Sequence, residues 1–423
     1  MNFRISRPMG RVVLALIALV PAALSAASLS FLEAQQVALS QSRQLVAQDA
    51  AMTSAREMAV AAGERPDPML SIGIDNLPVN GSDRFSITRD FMTMRKIGVA
   101  QEFTRSDKLD LRRQRQEREA EIAAAGKALV RSEVLRGAGK AWLTRYFLDQ
   151  QRVLLQEQLQ QARQQLLASE AAYRGGRIAS TDTINTRGEM LLLEDQLQIM
   201  DRQLKQATAA LARWVGNEQS RQPLLGKPDF DRIHFVIDDL EGHLTRHPDL
   251  VMQDRRIALA DTEAHLAEAN KRADWTAEVS YAQRGSAFSD MVSLGVSVPL
   301  QWDQARRQNR ELAARQAQVE QARAERDDML RAHVAEVRAM VDDWQSGLSR
   351  LQRYREQILP LSKSRTQTAL ASWRGGRGAL SDVLAARRAL LDTQLQASQL
   401  EMQTALTWAD LEFLLPNEIR SAP

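Results

Sequence analysis

The chain has 423 residues, with 56 Lys and Arg against 53 Asp and Glu, a formal net charge of +3 and no Cys. Without Cys there is no disulfide framework, no zinc–thiolate site, no thiol nucleophile and no thiol for N-terminal lipidation. The surplus charge sits in Arg4, Arg7 and Arg11, so the remainder balances at 53 against 53 and offers nucleic acid no basic field.

Residues 1–27 read as a secretory signal peptide. The three Arg form a basic head, Val12 to Val20 is apolar, and Ser25-Ala26-Ala27 supplies small residues for cleavage. A retained anchor is the alternative. Beyond it no segment reaches 18 consecutive apolar residues, which excludes a transmembrane helix but not membrane-spanning strands.

A first helix is expected from Leu32 to Gly63, then two strands. Leu70, Ile72 and Ile74 alternate with Ser71, Gly73 and Asp75, and Ile97, Val99, Gln101 and Phe103 follow less cleanly. A period of two with one apolar face is the strand signal, and it is also what a membrane barrel requires. A very long helix runs from about Ser106 to Tyr173, a rod of ~100 Å. It ends in the loop Tyr173-Arg174-Gly175-Gly176-Arg177, and Asp182 opens the returning helix.

The second half repeats this order. A helix spans about Leu240 to Asn270, with Pro248 in its first turn. Two strands carry Trp275, Ala277, Val279, Tyr281 and then Val292, Leu294, Val296, Val298 on one face. A long helix from about Asp303 to Trp373, bent at Pro360, ends in Trp373-Arg374-Gly375-Gly376-Arg377 with Asp382 beyond. The loops are 200 residues apart, whereas Asp67 aligns with Asp274 at 207 and Gly98 with Gly295 at 197. About ten extra residues therefore sit in the first hairpin tip, near Asn80 to Met92, as insertions do in exposed loops. Leu155, Leu159, Ala162, Leu166, Ser169 and Tyr173, and later Leu384, Leu391, Leu395, Ser398, Met402, Ala405 and Ala409, keep a seven-residue seam. The units are residues 28–216, a polar linker at 217–237, and 238–423.

Four strands per chain cannot close a barrel, and lipid tolerates no open edges. The rods likewise need lateral neighbours. A symmetric oligomer, a barrel of strands above a barrel of helices, answers both needs.

The duplicated order helix, two strands, long helix, Tyr/Trp-x-x-Gly loop, long helix resembles the outer-membrane efflux factors, the TolC-like family. The resemblance spans the mature chain and rests on Tyr173-x-x-Gly176 with Asp182, on Trp373-x-x-Gly376 with Ser381-Asp382-Val383-Leu384-x-Ala386, and on Val296-Ser297-Val298-Pro299-Leu300. It implies a mostly α fold with a β-barrel portion, as a homotrimer in outer-membrane lipid with a periplasmic helical tunnel. The implied partners are a periplasmic adaptor and an inner-membrane RND-type pump. Arg65-Pro66-Asp67-Pro68-Met69-Leu70, Asp75-Asn76-Leu77-Pro78-Val79 and Phe91-Met92-Thr93-Met94 resemble the branch that serves heavy-metal pumps.

The resemblance puts the turns Gly175, Gly176, Gly375 and Gly376 at the periplasmic tip. Asp182 and Asp382 are aperture candidates, since a carboxylate ring favours cations. Tyr173 and Trp373 are candidate latches, and Arg177 and Arg377 candidate partners of the acids. The alternative is structural: Gly in turns, and Asp complementing a helix N-terminus. Some relatives carry a second acid three residues on; here Asn185 and Ala385 stand there. His243 and His247, four apart, are a candidate metal pair, against a capping role. Met92 and Met94 are a candidate soft-metal pair, against core filling. No catalytic constellation and no cofactor motif is present, so no enzyme is expected. A type I secretion or drug-efflux duct, and a periplasmic coiled-coil scaffold, remain open.

Overall fold

A computed structural model describes residues 28–176, 178–234 and 239–414. The expected signal peptide and Arg177 lie outside them.

Helices and strands follow the duplicated order. A short strand β1 (Leu29–Ser30) leads into α1 (Phe31–Gln41) and α2 (Arg43–Gly63). The hairpin β2 (Met69–Asp75) and β3 (Met94–Phe103) precedes α3 (Ser106–Arg174) and α4 (Ser180–Val215). After β4 (Leu224–Leu225), the second half gives α5 (Leu240–Leu244), α6 (Pro248–Ala269), β5 (Trp275–Gln283), β6 (Met291–Ser297), α7 (Gln308–Arg353), α8 (Leu359–Arg374) and α9 (Leu380–Glu412). At 69 residues α3 is a rod of ~100 Å.

Three helical expectations are refined. The first helix breaks at Ser42, whose extended backbone (ψ 108°) ends α1 while its hydroxyl accepts the Leu45 N–H and starts α2. Its counterpart divides before Pro248, which opens α6 as expected. Pro360 is preceded by a π turn over Tyr354–Ile358, where the Leu359 N–H reaches the Tyr354 carbonyl. The wider turn accommodates a residue that has no N–H to give and crowds the preceding turn.

The strands form one antiparallel sheet in the order β2-β3-β5-β6. Its register aligns Leu70, Val99, Val279 and Leu294 in one row and Ile72, Ile97, Tyr281 and Val292 in the next. All eight side chains are exposed, so one face is an uncovered apolar surface. The other face carries Ser71, Gly98, Ser280 and Ser293, and a Lys96–Glu278 ion pair at 3.1 Å. Phe103 stacks on Trp275 at 4.3 Å where the strands meet the helices. There Lys108, 4% exposed, is held by Asp274 at 2.9 Å.

The core lies midway along the rods, where α1, α3, α4, α7 and α9 converge on Trp142, Leu143, Phe147, Leu211, Val215, Val341, Trp344 and Trp408. The segment expected as a linker is bound to this core over its described part. Indole N–H groups of Trp142, Trp344 and Trp408 donate to the carbonyls of Leu29, Phe230 and Arg232 at 3.1, 2.9 and 2.8 Å. The Arg145 guanidinium donates to the carbonyls of Ser220 and Gln222. Each buried backbone oxygen thus finds a donor that helices cannot supply from their own satisfied N–H groups.

Candidate functional site

At the far end of the rods from the sheet, the two tips have the same local geometry. Gly175 and Gly375 donate to the carbonyls of Ala171 and Ala371 at 3.1 and 3.0 Å; Gly176 and Gly376 donate to Tyr173 and Trp373 at 2.9 and 3.0 Å. Gly176 and Gly376 hold φ of +68° and +72°. That left-handed conformation ends a helix at little cost only in Gly. In the second tip the Arg377 N–H also reaches the Ser372 carbonyl at 3.0 Å, completing the cap.

Asp182 and Asp382 occupy the third position of α4 and α9. Asp382 turns back to accept the Ala379 N–H at 3.4 Å, the local role of an acid in a first turn. Among the described residues no ion pair joins Asp382 to Arg377. Tyr173 is exposed and Trp373 half-buried. An open groove of about 740 Å³ lies between α4 and α9, with Ile184, Leu191 and Leu192 on one wall and Ser381, Leu384 and Arg388 on the other. Arg388 bridges to Glu189 at 3.3 Å across it.

The two copies differ in what covers them. Leu391 in α9 is 4% exposed, packed with Leu148, Leu155 and Met200, whereas Leu191, its counterpart 200 residues earlier, is 54% exposed. Leu384 is half-buried, while Ile184, its counterpart, is 67% exposed. In α9 the seam is buried because α3 of the first hairpin lies against it. Of the matching positions in α4, Ile184 and Leu191 are uncovered among the described residues, while Asp195, Gln198, Arg202 and Lys205 take the places of Leu395, Ser398, Met402 and Ala405. In the sheet, β3 pairs with β5 across the two halves, while the corresponding edges of β6 and β2 are free among the described residues. The second unit thus docks on the first, and the first keeps a sheet edge and the pair Ile184 and Leu191 uncovered among the described residues.

The remaining candidates separate. His243 belongs to α5, whereas His247 caps α6 and packs against His333 of α7. Met92 lies exposed in the hairpin loop and Met94 begins β3. The exposed pair Ile184 and Leu191 was within reach of sequence reading, since it shares the register of Leu384 and Leu391. The indole anchors have no sequence signal, because their partners are backbone carbonyls.

No family model and no curated protein matches the chain. Solved structures do. The outer membrane protein VceC of Vibrio cholerae is 19% identical, with a TM-score of 0.74 over 91% of this chain and 95% of that one. The CmeC outer membrane channel of Campylobacter jejuni is 11% identical, with a TM-score of 0.75 over 93% and 87%. The MtrE outer membrane channel of Neisseria gonorrhoeae in its open state is 15% identical, with a TM-score of 0.71 over 91% and 88%. Near-complete coverage on both sides means that duplication, sheet and rods all correspond: the chain has the fold of an outer-membrane channel subunit, mostly α with a β-barrel portion.

Proposed function

We propose that this chain is one subunit of a homotrimeric export duct, with its sheet in the outer membrane and its rods forming a tunnel in the periplasm. The observation that carries this reading is the sheet, apolar and uncovered on one face, small and polar on the other, with both edges unpaired. Three copies give twelve strands, an even number as single barrels use. Ten residues of β3 rise ~33 Å along the strand. A tilt of ~40° reduces that to ~25 Å of height, the thickness of an outer-membrane apolar band. Phe103, Trp275 and the exposed Trp302 stand at its helix-proximal rim, where aromatic girdles lie.

The duct conducts passively and is not an enzyme; its driving force comes from an inner-membrane RND-type pump through a periplasmic adaptor. The aperture is lined at the tips by Asp182 and Asp382, with Tyr173, Trp373 and Arg377 beside them. The cargo is a heavy-metal cation, of copper and silver or zinc, cobalt and cadmium type. That reading rests on the Arg65–Val79 and Phe91–Met94 segments of the sequence. A carboxylate-lined opening suits such a cargo. Reconstitution of purified trimer in planar bilayers tests the duct: stepwise, cation-preferring conductance is expected, and inserted trimers that never conduct contradict it. Metal efflux is tested by accumulation of these metals in cells lacking the chain; unchanged metal content with increased drug retention favours a drug-efflux duct.

A further inference from the structure

The duct reading leaves one cluster of ligating side chains unused. His247 caps α6, its Nδ1 accepting the Asp249 N–H at 3.3 Å. α7 packs along α6 and brings His333 alongside, with imidazole centroids 4.9 Å apart and ring planes at 39°. His333 Nε2 stands 3.8 Å from Asp249 Oδ2. One donor atom from each of His247, Asp249 and His333 lies within 4.8 Å of the others. His247 is 6% exposed, while Asp249 and His333 are only partly covered, so the cluster keeps a way in from solvent.

We propose that His247, Asp249 and His333 bind one divalent transition-metal ion of the Zn²⁺, Co²⁺ or Ni²⁺ type, resident in the wall of the subunit, which ties α7 to the start of α6. Two imidazoles and one carboxylate are a three-ligand donor set for such borderline ions, with water completing the shell. Donors in a tetrahedral zinc shell stand ~3.3 Å apart. The ion therefore draws these three inward, and rotations of the partly exposed His333 and Asp249 side chains supply the movement. Burial and then the neighbouring His333 push the His247 imidazole down to about 4.

Two features oppose the ion. Arg136 and the N-terminus of α6 add positive charge beside His247, which the Asp249 carboxylate must offset. Ligation through His247 also gives up its capping bond, because the nitrogen that accepts the amide either takes the metal itself or must carry the ring proton. At 3.3 Å that bond is already at the long end of the range, so the competition is weak. The site is separate from the aperture, and its ion is not cargo. The duct reading stands or falls independently of it.

The test titrates untagged, chelator-stripped trimer in detergent with Co²⁺, followed by d–d absorption, and with Zn²⁺ by calorimetry. About one equivalent per chain is expected. His333→Ala and His247→Asn should each weaken binding at least ~10-fold. Asn is a strong N-cap, so His247→Asn removes the imidazole while keeping the start of α6. His265→Ala, at an exposed position 3.9 Å from Asp261, should bind like the parent. Absent d–d bands, or binding unchanged in both His247→Asn and His333→Ala while the variants remain trimeric, overturns the proposal.

Discussion

Repeat symmetry gives the proposed subunit joint a definite register. Within the chain, β3 pairs with β5 so that Val99 faces Val279 and Ile97 faces Tyr281. Shifting β3 by 197 and β5 by 207 carries these pairs onto Val296 with Ile72, and Leu294 with Ile74, between the free edges of β6 and β2 in adjacent copies. Both pairs lie on the apolar face, as closure demands. A directly opposed antiparallel pair has Cα atoms ~4.5–5.5 Å apart, inside the ~4.4–6.8 Å window of a disulfide. A diagonal pair stands at ~7–8 Å and does not bridge. Within one chain β2 and β6 are three strand spacings apart, ~14 Å, so any Val296→Cys/Ile72→Cys bridge joins two copies. The parent has no Cys to confuse the result. Oxidised in cells and boiled without reductant, the double variant should run as a covalent trimer, at three times the mass of the mature chain. Val296→Cys/Ile74→Cys should stay monomeric on the gel. Bridging in the shifted pair but not the opposed one refutes the register, and bridging in neither refutes the joint.

Asp182→Asn with Asp382→Asn should reduce the cation preference of reconstituted channels; unchanged selectivity removes the carboxylate ring from the account. Gly376→Ala meets no neighbouring atoms, so its cost is the left-handed backbone alone, ~1–2 kcal/mol, read as a lower unfolding midpoint of the detergent-solubilised protein. Trp142→Ala empties a fully buried position and leaves the Leu29 carbonyl without its donor, so a loss of ~3–5 kcal/mol is expected in the same assay. His247 sets a pH dependence in chelator-treated protein. Its imidazole titrates at about 4 when folded and at 6.5 when unfolded. Above pH 6.5 both states are neutral and stability is complete; as pH falls toward 4 the unfolded state takes the proton first. About 3 kcal/mol should be lost across that window, and His247→Asn should flatten it.

Much of the fold was legible because its signals are periodic. Alternation in Leu70–Asp75 and Val292–Val298 marks strands whatever their partners, and the offsets of 207, 200 and 197 locate the repeat without coordinates. The long rods follow from a sustained seven-residue seam that carries through the helical Gly126, Gly137, Gly139 and Gly347, and the π turn absorbs the effect of Pro360. What was not legible depends on distant partners. Ser42 looks like an ordinary helical Ser until its hydroxyl is seen starting a second helix. His333 lies far along the chain from His247, and only the packing of α7 on α6 joins them. The segment after Asn217 reads as a polar linker because its anchors, Trp344, Trp408 and Arg145, grip carbonyls that every residue possesses. At the aperture, the turns and acids could be named from sequence, whereas the contrast between Leu191 and Leu391 required the packed hairpins.

The central claim is that the free sheet edges are joints between identical subunits in the outer membrane. Fractionation of cells producing the unmodified protein, followed by electrophoresis with and without heating, tests it most directly. A trimer from the outer-membrane fraction that collapses to monomer only on boiling is the predicted result. A soluble periplasmic monomer would contradict it and return the chain to a coiled-coil scaffold.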